Sequence, residues 1–351
     1  MSPPVVVPLG RDALSWVRAG GNPSRGGWSR SLLLRWQSHW FDRSLALQRQ
    51  LPLNPLSHDP VFILGLWRSG TTYLHNLLSS CPGVSYPATW QCMNPASFRL
   101  QSPHSSRISV KRPMDGLAID SMSPQEDEFA LLALGVPSVY RGFFDPRRLM
   151  ELTPWLDPNA WGGERPAGWI DSWRQFLAGV SDGRCERLVL KSPNHSFRIK
   201  ALAETFPHAS YVWLVRDPGE TFHSNRKMWC SMFDRYAFWP TNDSILDEFL
   251  GRAFAYAAES LQHATTLLPR ERLGVVRFDQ LTGMTLETLE ALNHRLLLGN
   301  WSAMRPALAQ IAASGVRHRS DTYQGQQSVV AVKAIDQLRM AQLAALSSHG
   351  L

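Results

Sequence analysis

The sequence predicts an α/β protein: a P-loop-like three-layer fold in which helices flank a central parallel sheet. Two observations carry this reading. Residues 60–64 form an apolar run short enough to be a buried strand. The run breaks at Gly65 and Gly70, spaced as in a phosphate-binding loop, and resumes as a helix with Leu74, Leu77 and Leu78 on one face. Further on, residues 187–191 and 211–215 read as strands that are apolar throughout, with an amphipathic helix over 195–206 between them. That pattern marks a parallel sheet covered on both faces.

The remaining elements follow in order. Residues 28–51 read as a helix, with Leu32, Leu33, Trp36, Trp40, Leu45 and Leu47 set among Arg30, Arg35, Arg43 and Arg49. A basic amphipathic helix can lie on a membrane, but packing of its apolar stripe on the next domain is the expected use. The phosphate-loop unit occupies about 60–80 and ends at Pro82-Gly83. Residues 101–122 are rich in Ser, Pro and charge without periodicity and read as a long loop bordering a binding site. A helix is expected to begin near Pro124, where Ser123, Pro124 and Glu126 have the spacing of a capping box. Phe143, Phe144, Trp155, Trp161, Trp169 and Trp173 suit either a cap over a pocket or a core. Helical periodicity returns over 244–268, a strand follows at 273–278, and further helices fill the chain. The division expected is a helical segment at 1–55 packed on the core, an α/β domain at 56–330 with its acceptor-side loops and cap at 101–180, and a C-terminal helix at 331–351.

Composition bounds the function. A chain of 351 residues, 44% hydrophobic, can bury one large core or two modest ones. Lys plus Arg total 36 against 29 Asp plus Glu, a net charge of +7. This suits an anionic ligand but is mild for a nucleic-acid binder, and the basic groups are dispersed, so no nucleic-acid partner is expected. Cys81, Cys92, Cys185 and Cys230 form no C-x-x-C pair and no metal spacing with His, so they read as reduced thiols. No stretch reaches the ~20 apolar residues of a membrane span, and residues 1–8 lack a basic segment followed by an apolar one. The expected location is the cytoplasm. Nothing in the sequence reads out an oligomeric state.

Two constellations carry chemistry. In Gly65-x4-Gly70-Thr71-Thr72 the residue after the second glycine is Thr71, where a nucleotide-triphosphate P-loop has lysine. That lysine normally contacts the β- and γ-phosphates, so its absence argues against a kinase or NTPase. The positive charge sits instead at Arg68, whose guanidinium can fork onto two oxygens of a phosphate or sulfate, with Ser69, Thr71 and Thr72 as neutral donors. The second constellation is Arg216, which ends a strand, with Ser224 eight residues on in the next helix. Both can face the C-terminal edge of the sheet, where open α/β sheets bind ligands.

Two such anion grips in order resemble the sulfotransferase family that uses 3′-phosphoadenosine 5′-phosphosulfate (PAPS), and look closest to its bacterial branch with Arg-Ser-Gly-Thr-Thr. The resemblance covers roughly 60–330. It implies that Arg68, Ser69, Gly70, Thr71 and Thr72 hold the donor's 5′-phosphosulfate, and that Arg216 and Ser224 hold its 3′-phosphate. Ser314-Gly315-Val316-Arg317-His318-Arg319 falls where the family places a basic loop over that phosphate, which makes Arg317 and Arg319 further candidate contacts. Lys191 aligns with a family lysine followed two residues later by a histidine base, but here Pro193 occupies that position and His195 lies two residues beyond. Since some branches use a glutamate, Glu126 before Glu128 is the other candidate base, with His75 behind them.

The resemblance implies an in-line transfer of a sulfuryl group from PAPS to the hydroxyl of an apolar or aromatic small molecule, releasing adenosine 3′,5′-bisphosphate (PAP). Arg68, Lys191 and the loop N–H groups would stabilise the developing charge, and no metal is expected because side chains supply the cations. The alternatives are a P-loop nucleotide kinase or NTPase, and a catalytically inactive nucleotide-binding protein, the latter suggested by Pro193.

Overall fold

A parallel sheet of five strands is laid down in the order Val84–Ser85, Arg187–Lys191, Val61–Leu64, Ser210–Val215 and Leu273–Arg277. The computed structural model describes residues 21, 40–101, 110–111, 118–161, 168–184, 186–313 and 329–351. The strands are β1 (Val61–Leu64), β2 (Val84–Ser85), β5 (Arg187–Lys191), β6 (Ser210–Val215) and β7 (Leu273–Arg277). β1 lies at the centre, with Ile63 beside Lys191 of β5 on one side and beside Val212 of β6 on the other. β3 (Val110–Lys111) and β4 (Ala118–Ile119) form a separate antiparallel pair. The segment read as a long loop, 101–122, therefore contains a small ribbon.

Alternation along each strand divides the core into two layers. Val61 and Ile63 face one hydrophobic cluster, which also takes Val189, Val212 and Leu214. Phe62 and Leu64 face the other, with Leu188, Leu190, Tyr211 and Trp213. A strand whose side chains are apolar on both faces can be stable only between two layers of helices, which is the three-layer arrangement expected. On the first face lie α1 (Thr71–Ser79), through Leu74, Leu77 and Leu78, and the later helices α8 (Phe278–Gly283), α9 (Thr285–Leu296) and α10 (Trp301–Ala313). α2 (Thr89–Met93), α3 (Asp127–Ala133), α4 (Trp169–Ser181), α5 (Ile199–Thr205), α6 (Pro218–Tyr236), α7 (Asp243–Leu267) and α11 (Val329–His349) contribute to the other cluster. Phe143, Phe144, Trp161, Trp169 and Trp173 are buried there, so these aromatics build the core.

Two local starts differ from the sequence reading. α3 begins at Asp127 and the capping box does not form. Ser123 Oγ instead exchanges hydrogen bonds with Asp120, and Gln125 N–H donates to Pro87 O at 2.9 Å, so 123–126 run extended beside 87–89. The helix expected over 195–206 is a 3₁₀ turn, Pro193–Phe197, followed by α5. Ser192 accepts from Asn194 N–H at 3.3 Å and Pro193 starts the turn. At Arg198 the backbone leaves helical geometry before α5 resumes. Of the predicted 28–51 helix, residues 40–48 are helical and 22–39 lie outside the described residues.

The turn after β1 depends on its glycines. Gly70 has φ +97 and a β-carbon there would enter the ring of Phe278, while one on Gly65 would sit 2.7 Å from Leu214 O. Gly70→Ala should therefore cost about 1–3 kcal/mol through left-handed backbone and the clash together. Urea unfolding of the variant beside Gly283→Ala, where a β-carbon meets open space, checks it: the Gly283 change should leave the midpoint nearly unmoved.

Candidate active site

Three neighbouring central strands end on three of the predicted residues or segments. Lys191 is the last residue of β5, the Gly65–Gly70 turn follows β1, and Arg216 follows β6. In a parallel sheet these C-terminal ends share one edge, where ligands of open α/β sheets bind. The turn is pinned to its neighbour: Gly65 N–H donates to Ser196 Oγ at 2.7 Å and Ser196 Oγ returns a bond to Gly65 O at 3.1 Å. Arg68 itself holds φ +66, the left-handed region, which costs a non-glycine residue of the order of 1 kcal/mol and is typical of functional turns.

Arg68 and Arg216 meet. Arg68 Nε–H donates to Ser224 Oγ at 3.1 Å, and Arg216 Nη1–H donates to Arg68 O at 3.3 Å. Arg216 also pairs with Glu220 at 2.9 Å and lies 5.1 Å over the Phe278 ring. α1 starts from Gly70 with no side-chain cap, and while the Tyr73 N–H donates to Gly70 O at 2.9 Å, the N–H groups of Thr71 and Thr72 are left to an external partner. An anion fits that opening. Ser69 is buried and gives its hydroxyl to Leu66 O at 2.7 Å. Arg317 and Arg319 lie outside the described residues.

Beside this turn stands an acidic cluster. Glu126 is the N-cap of α3 and Asp127 and Glu128 form its first turn. Each meets one base from the stretch beginning at the end of β5. Lys191 Nζ contacts Glu126 Oε1 at 2.6 Å, His195 Nε2 contacts Asp127 Oδ2 at 2.8 Å, and Arg198 grips Glu128 with two bonds of 2.6 and 3.0 Å. Trp173 Nε1–H adds a 2.7 Å bond to Asp127, and the Arg198 guanidinium lies 4.6 and 4.7 Å from the rings of Trp161 and Trp169. Burial pushes the Asp127 carboxyl upward, but the charge and hydrogen bond of His195, the Trp173 N–H and the Arg198 charge outweigh it, and the net direction is down.

Access separates the candidate bases. The side chains of Asp127, Glu128 and His195 are 0% exposed, and His75 is also 0%, while Glu126 keeps 12%. Burial, and next the Lys191 charge, lower His75 to about 3, so it is a neutral core residue. His195 is drawn inward by Asp127, because the 3₁₀ turn rotates it away from the strand end. Sequence reasoning missed Tyr140, whose hydroxyl donates to Glu126 Oε2 at 2.5 Å and accepts from Trp67 Nε1–H at 3.0 Å. It also missed Asn225, which donates to Trp67 O at 2.7 Å. The available signal was the indole of Trp67 inside the turn, a donor that needs a partner once buried.

Fold and site together define a P-loop-like α/β protein in which cationic side chains and an uncapped helix start gather at the strand ends, beside an ion-paired carboxylate. Residues 60–302 match the model of the sulfotransferase family. The chain is 30% identical over 298 residues, 84% of its length and 75% of the relative's, to "Omega-hydroxy-beta-dihydromenaquinone-9 sulfotransferase Stf3" of Mycobacterium bovis. It thus belongs to the sulfotransferase family and is a sulfotransferase enzyme. Its fold resembles the crystal structures of sulfotransferase STF9 from Mycobacterium avium (TM-score 0.63, 16% identity, 94% of this chain and 86% of that one) and STF1 from Mycobacterium tuberculosis (0.62, 17%, 94% and 93%).

The buried pairs have measurable consequences. Arg198→Met leaves Glu128 charged and unpaired and should cost about 3–5 kcal/mol in urea unfolding, part of which Glu128→Gln in the same chain should restore. The Asp127 carboxyl has a depressed folded value, so its stabilisation is complete above the unfolded value of about 3.9 and is lost as pH falls through the folded one. Asp127→Asn should flatten that acid limb when unfolding midpoints are measured against pH.

Proposed function

We propose that this enzyme transfers the sulfuryl group of PAPS to the hydroxyl of an apolar small molecule, with Glu126 as general base and Arg68, Ser69, Gly70, Thr71, Thr72, Arg216 and Ser224 as the donor site. The observation that carries the assignment of the base is exposure: of Glu126, Glu128, His195 and His75, Glu126 alone has a side chain that is not fully buried. It stands at the end of the central strands beside Lys191, where a hydroxyl could approach both. The donor supplies an activated sulfuryl group whose negative charge spreads over its oxygens during transfer.

The side chains divide the remaining work. Arg68 offers a planar cation at the turn, and the N–H groups of the α1 start supply fixed dipoles, so charge is met without reorganisation. Arg216, steadied on Phe278, and Ser224 suit a second phosphate, at the neighbouring strand end. Lys191 is the cation nearest the proposed base. Charge on the transferred group would draw its ammonium from the carboxylate, freeing Glu126 Oε1 to accept the hydroxyl proton. Side-chain cations carry this electrostatic load, and no step is assigned to a metal.

The named substrate of the 30%-identical relative is a hydroxylated menaquinone, which supports an apolar alcohol here, as does the partly buried Phe129, three residues from Glu126. Cys81, Cys92 and Cys230 are free thiols, which suits the cytoplasm as the place of reaction.

Radiolabelled PAPS with a panel of hydroxylated acceptors should yield PAP, and ADP from ATP and Mg²⁺ without sulfuryl transfer would overturn the reading. Arg68→Ala and Arg216→Ala should each weaken PAP binding about tenfold or more by calorimetry, since hydrogen bonds to charged groups contribute about 1.5–3 kcal/mol. Wild-type affinity in both would refute the donor site. Glu126→Gln should lower kcat about a hundredfold or more with PAP affinity held.

A further inference from the structure

We infer that Tyr140 is a positioning residue for this reaction: its hydroxyl holds the Glu126 carboxylate and ties it, through Trp67, to the turn that carries Arg68. The inference rests on Glu126 being the base. Tyr140 is 2% exposed and Trp67 3%, so neither touches an acceptor directly, and Tyr140 acts through the carboxylate in front of it.

Chemistry fixes the direction of the two bonds. An indole N–H can only donate, so the Tyr140 oxygen accepts from Trp67, and the phenolic proton is directed to Glu126 Oε2. Burial pushes the phenol well above its ordinary value and the Glu126 charge pushes it further, so Tyr140 remains a protonated donor at neutral pH. The opposite oxygen of Glu126 faces Lys191. A free glutamate samples several rotamers. Here one oxygen is pinned from behind, and the other is presented beside the cation.

The pin is itself rigid. Ser138 Oγ accepts from Tyr140 N–H at 3.2 Å, and the Tyr140 ring stacks on Phe143 at 4.9 Å with Phe129 at 5.2 Å on it. Phe143 continues to Trp229 at 4.6 Å, which meets Trp67 edge-on at 5.7 Å. On α6, Asn225 holds the Trp67 carbonyl while the adjacent Ser224 accepts from Arg68. One path therefore joins the proposed phosphate-binding face of α6 to the carboxylate, so the base is registered to the donor turn. Small errors in such registration cost rate and not binding, because only the transition state needs the alignment.

The test uses the full chain with PAPS and decan-1-ol as the acceptor probe, together with calorimetry of PAP and thermal unfolding. Tyr140→Phe keeps the ring and removes only the hydroxyl. It should lower kcat about tenfold or more while the KM for PAPS and the affinity for PAP stay within about twofold. Trp67→Phe should lower kcat in the same way, and the double variant should lose no more than Tyr140→Phe alone, because both bonds belong to one path. If Tyr140→Phe melts early, Trp67→Phe alone decides. Wild-type kcat in the variant that folds, while Glu126→Gln is inactive, overturns the positioning role and leaves the base intact. Wild-type turnover in Glu126→Gln overturns the base, and Tyr140's role with it. A loss of PAP affinity matching the loss of kcat, or additive losses in the double variant, would show a merely structural residue and overturn the inference.

Discussion

Glu126, Asp127 and Glu128 open α3 in succession, and Lys191, His195 and Arg198, from the stretch that begins at the end of β5, answer them one for one. The geometry of the site depends on this ladder of charge. Its two inner rungs are wholly buried, and uncovering any one of those ions would cost several kcal/mol. They therefore admit a single register of α3 against the sheet. A slip of one residue would break these pairings and leave buried ions without their partners. With the inner rungs locked, the outermost acid is left at the helix N-cap, facing the strand ends.

The same economy of position governs the anion side. β5, β1 and β6 are adjacent and parallel, so three segments far apart in the chain end side by side with no element devoted to gathering them. The turn after β1 is held by Ser196 from the stretch beyond β5 and by Asn225 and Ser224 from α6. Each neighbour that contributes to the site thus also supports the turn. The aromatic packing behind it, from Trp229 through Phe143 to Tyr140, joins this half of the site to the carboxylate half.

What was legible in the sequence is what is local. The β1 strand, its glycine turn and α1 are read from one continuous stretch, and Arg216 with Ser224 from a fixed spacing across one helix start. The long-range pairs were not legible, because nothing near Glu126 announces Lys191, nor anything near Tyr140 announces Trp67. Two departures from the sequence reading have physical causes. Ser123, Pro124 and Glu126 satisfy the local rule for a helix start, yet extended pairing with 87–89 pulls them out of the helix and moves its beginning to Asp127. His195 sits near the spacing of a base, but a proline-initiated 3₁₀ turn and the attraction of Asp127 aim it into the core. The aromatic stretch was ambiguous by composition, and burial resolves it in favour of the core.

Arg216 is accompanied by Glu220, a carboxylate that is itself 44% exposed and one helical turn along α6. Any phosphate seated on this guanidinium exchanges one negative companion for another instead of meeting a bare cation. Such an exchange lowers the net gain of capture but also lowers the barrier to departure, since the vacated arginine is reclaimed at once. Under the donor site proposed above, spent and fresh nucleotide would meet the same built-in competitor at this arginine, which favours rapid turnover over a long residence time.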